Sequence, residues 1–144
     1  MEQFQIDKLL NLEQITSNGV DVASTAAFQP GPLMAVYFAT KAYVLHFSEA
    51  MHNELSGTGV TVTALCPGAT ESGFKAAAAM EDSGLMKGKK LPTSAEVARF
   101  GYKAMLRGRP VCVHGTLNAF LAATVGLMPR KWAVAVTRKM LDRV

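Results

Sequence analysis

The chain has 144 residues, enough for one domain with a buried core, and its 49% apolar and 18% charged content excludes a disordered chain. Its net charge of +4 leans toward anionic ligands such as nucleotides. Lys and Arg are not interleaved with aromatics as a nucleic-acid groove requires, so no nucleic-acid partner is expected.

In chain order, residues 2–17 carry Phe4, Ile6, Leu9, Leu10 and Leu12 among polar residues and read as a weak helix, stopped by Asn18-Gly19. No apolar signal-peptide core precedes them, and the longest apolar stretch, 117–128, is too short to span a bilayer, so a cytoplasmic protein is expected. Val20 to Ser24 predicts a short strand and residues 28–32 a loop. A long helix follows over 33–55, with Pro32 near its first turn and Gly57 beyond its end. Val60 to Cys66 is a β-branched and apolar run, the pattern of a strand buried on both faces, ended by Pro67-Gly68. Residues 74–90 read as a loop. A helix runs from a cap at Ser94 or Thr93 to Leu106, Val111 to Val113 makes another strand, and helices over 116–127 and 129–142 complete the chain. Strands alternating with helices predict a parallel sheet with helical crossovers. Cys66 and Cys112 sit inside strand-like apolar runs and read as core thiols in a reducing compartment. His46 and His52, six apart, fall on different faces of the long helix, so no metal site is expected.

Chemistry concentrates between residues 24 and 41. Tyr37 and Lys41 are four apart on the long helix and share a face. A phenol titrates near pH ~10, too high for efficient proton transfer at neutral pH. An ammonium one turn away favours the phenolate and suits the pair to acid–base work on a carbonyl or alcohol. The same spacing also fits an ordinary surface pair. Ser24, at the carboxyl end of a strand, stands where open α/β sheets place ligand groups, and its hydroxyl could hold a carbonyl oxygen. Taken alone, it could equally be a turn residue bonding its own backbone.

The segment Val22-Ala23-Ser24-Thr25-Ala26-Ala27, then Tyr37-Phe38-Ala39-Thr40-Lys41, and further on Val62-Thr63-Ala64-Leu65-Cys66-Pro67-Gly68-Ala69-Thr70-Glu71-Ser72-Gly73, resembles the active-site half of the short-chain dehydrogenase/reductase family. Gly115-Thr116-Leu117-Asn118 and Leu127-Met128-Pro129-Arg130-Lys131 resemble the tail of its steroid and 3-ketoacyl reductase branch. The resemblance implies an NADP- or NAD-dependent oxidoreductase acting on a small carbonyl or alcohol. Tyr37 would exchange the proton, Lys41 would hold the nicotinamide ribose, and Ser24 would orient the carbonyl. Pro67 and Gly68 would form the turn beneath the nicotinamide, Thr70 would contact its carboxamide through the backbone and Ser72 through a hydroxyl. It also implies an oligomer, homo- or hetero-, formed through the helix over 33–55.

The family's glycine-rich pyrophosphate turn has no counterpart here, since Gly57 and Gly59 follow a helix rather than a strand. The fold expected is therefore α/β, a partial Rossmann-type parallel sheet of about three strands with flanking helices, lacking its N-terminal nucleotide-binding half. Residues 1–18 read as a non-matching N-terminal segment and 19–144 as the C-terminal half of the domain. Three readings stay open: an oxidoreductase using Tyr37; a truncated, inactive relative acting through oligomerisation with a full-length one; and a peripheral membrane module. The last rests on Arg130, Lys131, Arg138, Lys139 and Arg143 around Trp132, Val134, Val136 and Leu141, a pattern that also fits a docked terminal helix with solvated charges.

Overall fold

A computed structural model describes residues 17–71 and 91–142. The helix expected over 2–17 falls almost wholly outside the described residues, and the loop over 74–90 falls outside them. The described residues form three parallel strands in the order β1 (Gly19–Val22), β2 (Val62–Cys66) and β3 (Val111–Val113). The four helices are α1 (Ala35–Glu54), α2 (Ser94–Leu106), α3 (Thr116–Val125) and α4 (Arg130–Leu141), and a 3₁₀ turn spans Thr25–Phe28. This is the expected α/β architecture, a three-stranded parallel sheet of Rossmann type with flanking helices.

The β-branched and apolar run of β2 makes it the central strand, with all five residues buried. It pairs with β1 from Gly19↔Val62 to Val22↔Leu65, and with β3 from Ala64↔Val111 to Cys66↔Val113. Alternation along β2 sends its side chains to two cores. Ala64 and Cys66 meet Ala23, Ala27 and Leu45, and Val62 meets Met51 and Leu55, so α1 covers that face. Leu65 points the other way and packs with Val97, Ala104 and Cys112 under α2. Burying a leucine such as Leu45 or Leu65 is worth about 1.5–3 kcal/mol, so the two cores share the load of holding the sheet.

The two crossovers advance in the same direction along the sheet yet lie on opposite faces, so they have opposite hands. One of them departs from the right-handed rule for β-crossover-β units. The sequence order alone gives no sign of this, because alternation is blind to the face a helix takes.

Element boundaries follow local chemistry. β1 stops at Val22, short of the expected Ser24, because Ser24 caps the 3₁₀ turn: its backbone is extended and its side chain accepts the Ala26 N–H. α1 begins at Ala35 rather than 33, because Leu33 takes a left-handed φ of 71°, which interrupts a right-handed helix at a cost of about 1–2 kcal/mol. α2 begins where expected. Thr93 is its cap, closed by a capping box in which the Thr93 hydroxyl accepts the Glu96 N–H and the Glu96 carboxylate accepts the Thr93 N–H at 2.8 Å.

α4 docks through a narrow stripe, Ala133, Thr137 and Leu141, and Leu141 joins Ala26 and Phe38 in a third cluster. α3 buries none of its residues. Among the described residues, no helix is long and apolar enough to cross a membrane, and no group of three or more His, Cys, Asp or Glu could hold a metal ion.

Candidate active site

The carboxyl ends of β1 and β2 lie side by side, and the segments leaving them carry the candidate residues. The Thr25 N–H donates to the Pro67 carbonyl at 2.9 Å, which binds the turn after β1 to the turn after β2. Ser24, buried, accepts from the Ala26 N–H at 3.1 Å and directs its own proton at the Pro67 carbonyl over a long 3.4 Å. Ser24 therefore does the local backbone work its turn position allows, while its donor is held only loosely.

Tyr37 and Lys41 lie one turn apart on α1, as their spacing requires. The Lys41 Nζ stands 5.9 Å from the centroid of the Tyr37 ring. The ring, half-buried, meets Phe38 edge-on at a centroid distance of 6.0 Å and packs on the cluster of Ala26, Phe38 and Leu141.

Lys41 is aimed by a contact that sequence reading missed. Its Nζ donates to the Val22 carbonyl at 2.8 Å. The backbone groups of Gly19 and Ala23 bond toward β2, so alternation turns the Val22 carbonyl to the opposite edge of β1, where the ammonium meets it. A second tie holds α1 to β1: the fully buried Ser48 hydroxyl lies 2.8 Å from the Asp21 carboxylate and 2.7 Å from the Val44 carbonyl. No pattern in the sequence announces either contact, since both depend on which edge and which face of β1 the helix crosses.

Beyond β2, the Thr70 hydroxyl donates to the Gly68 carbonyl at 3.0 Å. Gly68 lies under Asn118 of α3: a Cβ there would stand 2.5 Å from the Asn118 Nδ2, which itself donates to the His114 carbonyl at 2.9 Å. The glycine is needed for this close approach, and Asn118 in turn fixes the Pro67–Gly68 turn against α3. Asn118 lies in the segment Gly115-Thr116-Leu117-Asn118, whose pattern gives no sign of this contact. Ser72 lies outside the described residues. The structure thus brings Ser24 to Pro67 and Tyr37 to Lys41, with Gly68 and Thr70 at the end of the adjacent strand.

A family model described as short chain dehydrogenase matches residues 6–82, which is more than half of the chain. The chain belongs to the short-chain dehydrogenase family. Among curated relatives of this short-chain dehydrogenase chain is a Streptomyces virginiae protein named for the ketoacyl reductase of the monensin polyketide synthase. It is 49% identical over 53 residues, 37% of this chain and 20% of the relative. An uncharacterized oxidoreductase of Staphylococcus epidermidis is 36% identical over 61 residues, 42% of this chain and 26% of that protein. Among solved structures, a short-chain dehydrogenase from Sphingobium yanoikuyae in complex with NADPH superposes with a TM-score of 0.61 at 27% identity. It covers 81% of this chain and 46% of that one. A Burkholderia phymatum short-chain dehydrogenase/reductase in complex with NAD has a TM-score of 0.61 at 22% identity over 97% of this chain and 56% of its own, a likeness of fold. The chain spans less than a third of the curated relatives it matches and about half of these solved structures.

Within this short-chain dehydrogenase, burial rather than reactivity governs the thiols. Cys66, fully buried in β2, is pushed up to about 12, chiefly by burial and next by the neighbouring Cys112; the bond from Ser24 works the other way. Cys112 is also raised by burial, against the pull of Arg109. Both are free core thiols, and burial disfavours the thiolate that reactivity would need.

Proposed function

We propose that the chain carries the proton-transfer site of an NADP- or NAD-dependent oxidoreductase, with Tyr37 as the acid–base group for a small carbonyl or alcohol. The observation that carries this reading is the placement of Lys41, anchored on Val22 and standing 5.9 Å from the Tyr37 ring. An ammonium held beside a phenol sets a fixed cation next to a proton donor, the pair that exchange of a proton with a substrate oxygen would use. Ser24, with its loosely held donor, can turn that proton from the Pro67 carbonyl to a substrate carbonyl and polarise it. Tyr37 packs on the apolar cluster of Ala26, Phe38 and Leu141, which covers one side of it.

The donor set fits the nicotinamide half of the cofactor. An ammonium and a phenol stand together after β1, and a threonine hydroxyl follows β2, the adjacent parallel strand. Lys41 and Tyr37 would hold the ribose, the backbone of Pro67, Gly68 and Thr70 would meet the carboxamide, and Ser72 would add a hydroxyl. When bound, the cofactor supplies the hydride. The NADPH and NAD present in the related solved structures support the same choice of cofactor class.

A second reading, in which the chain associates with a full-length relative without turning over substrate, is favoured by the outer face of α1, where Val36 and Tyr43 are exposed. One experiment separates the two: calorimetric titration of the chain with NADPH and NADH, followed by a carbonyl-reduction assay. The first reading expects saturable binding, weakened about 10- to 100-fold in Lys41→Ala, for the loss of a charge-assisted hydrogen bond. It expects Tyr37→Phe to weaken binding less than Lys41→Ala does, by about 3- to 10-fold for one neutral hydrogen bond, and to lose the reaction. Absence of binding by the folded chain, or binding that ignores Lys41→Ala, overturns it in favour of the second.

A further inference from the structure

The hairpin of α3 and α4 is apolar where a soluble helix pair is polar. α3 buries nothing, yet it carries Leu117, Phe120 and Leu121, each half or more exposed. The connection to α4 presents Leu127, 86% exposed, and α4 presents Trp132, 68% exposed. The docking stripe of α4 is Ala133, Thr137 and Leu141. At 100° per residue, Trp132, Ala135 and Lys139 lie opposite that stripe, flanked by Lys131 and Val136. The outward face of α4 is therefore a tryptophan and aliphatic side chains set among ammonium groups.

Charge decides what could cover it. From Val97 to Leu141 the sequence contains no Asp or Glu. The hairpin's cations are Arg130, Lys131, Arg138 and Lys139, of which Arg138 bonds the Asp142 carboxylate at 3.1 Å. The remaining basic groups of this acid-free stretch, Arg99 and Lys103 among them, lie on or after α2 across the sheet and belong to another surface. A second copy docking through the same face would bring the Lys131 and Lys139 ammonium groups of both copies into one interface with no carboxylate in the hairpin to compensate. An anionic lipid surface satisfies both halves of the pattern, taking the apolar side chains into the acyl boundary and the ammonium groups at the headgroups.

From this geometry we infer that the α3–α4 hairpin docks the protein on an anionic membrane surface, with Leu127 and Trp132 at the depth of insertion and Lys131 and Lys139 on the headgroups. The docking is peripheral and independent of the proton-transfer chemistry at Tyr37.

Trp132 is the sole tryptophan of the chain, so its emission reports this face alone. The test is fluorescence and co-sedimentation of the full chain with phosphatidylcholine vesicles containing roughly a third phosphatidylglycerol, against vesicles of phosphatidylcholine only. The expected result is a blue shift and co-sedimentation on the anionic vesicles, reversed by high salt and at least about tenfold weaker on the neutral ones. Lys131→Gln with Lys139→Gln should lower the partition coefficient roughly 25-fold, about fivefold per cation. Leu127→Ser, at an exposed position that leaves the fold intact, should lower it further and reduce the shift. Four results overturn the inference: no shift and no co-sedimentation on anionic vesicles by the folded chain; equal binding to both vesicle types; binding that all these variants leave unchanged; or an emission already blue-shifted without lipid alongside concentration-dependent sedimentation, which would make a second copy the occupant.

Discussion

Gly31 is the position where one methyl group should test the packing beneath Tyr37 and Phe38. It is buried in the turn that leads into α1, and the ring of Phe38 lies against it. A Cβ at residue 31 would stand 2.1 Å from Cδ2 and Cγ of Phe38 and 2.5 Å from Cδ1. Ordinary van der Waals contact begins at 3.4 Å, so in Gly31→Ala the ring must retreat by more than an ångström. It has little room, being 7% exposed and enclosed by Ala26 and Leu141, with Tyr37 edge-on to it. Gly31 is absent from the residues with positive φ, so alanine meets a packing clash and no backbone strain. Overpacking of this kind costs about 1–3 kcal/mol, while the stiffer unfolded chain returns about 0.4–1 kcal/mol. The net loss is about 1–2 kcal/mol, read as a urea midpoint lowered by about 0.5–1 M. Phe38→Leu in the alanine background supplies the control. The smaller side chain relieves the clash, so the double variant should be more stable than the summed single costs by about 1 kcal/mol. Additive costs, or a Gly31→Ala protein as stable as the parent, would refute the packing argument.

Two further outcomes follow from local chemistry. Thr93→Ala removes the hydroxyl half of the capping box at the start of α2 and should cost about 1 kcal/mol in the same urea titration, with Thr93→Ser recovering most of it. Cys66 gives a pH dependence: its thiol stands at about 12 in the fold against an ordinary 9.0. Because the folded value is the higher one, the stabilisation from the neutral buried thiol is complete below pH 9 and drains away as pH rises toward 12. Iodoacetamide at about pH 8.5 should therefore label Cys66 only as fast as the chain unfolds, with the rate rising through the urea transition. Labelling in the native protein at the denatured rate would contradict the burial that sets this shift.

How far the sequence is legible depends on whether a feature is local. β2 is legible because a short β-branched and apolar run ended by Pro67-Gly68 fits a strand buried on both faces, and the structure buries all five of its residues. The start of α2 is legible because Thr93 and Glu96 form their box within three residues. The ends of β1 and the loop after it are not, because Ser24 spends its side chain on Ala26 and Leu33 adopts a left-handed φ, choices made by tertiary packing against Pro67 and the start of α1. The site divides in the same way. The Tyr37–Lys41 pair follows from helical spacing, whereas the contacts of Lys41 with Val22, Ser48 with Asp21 and Asn118 with Gly68 join residues 19 to 50 positions apart. Such contacts depend on strand edges, helix faces and crossover hand, none of which a residue pattern encodes.

The Lys41 contact also bears on whether the structure is poised for a ligand. An ammonium has three donors, and the 2.8 Å bond to Val22 uses one. Were the carbonyl of Val22 a competitor, a ligand would have to displace it and lose a charge-assisted bond. The geometry argues the reverse. The anchor lies on the free edge of β1 and removes rotamer freedom from a side chain that otherwise loses about 1.5–2 kcal/mol of entropy on being fixed. On the reading proposed for this site, the fold meets the cost of orienting the lysine before any ligand arrives, and its other N–H groups would meet the ribose hydroxyls. That arrangement is preorganisation in the sense that raises affinity without adding a contact.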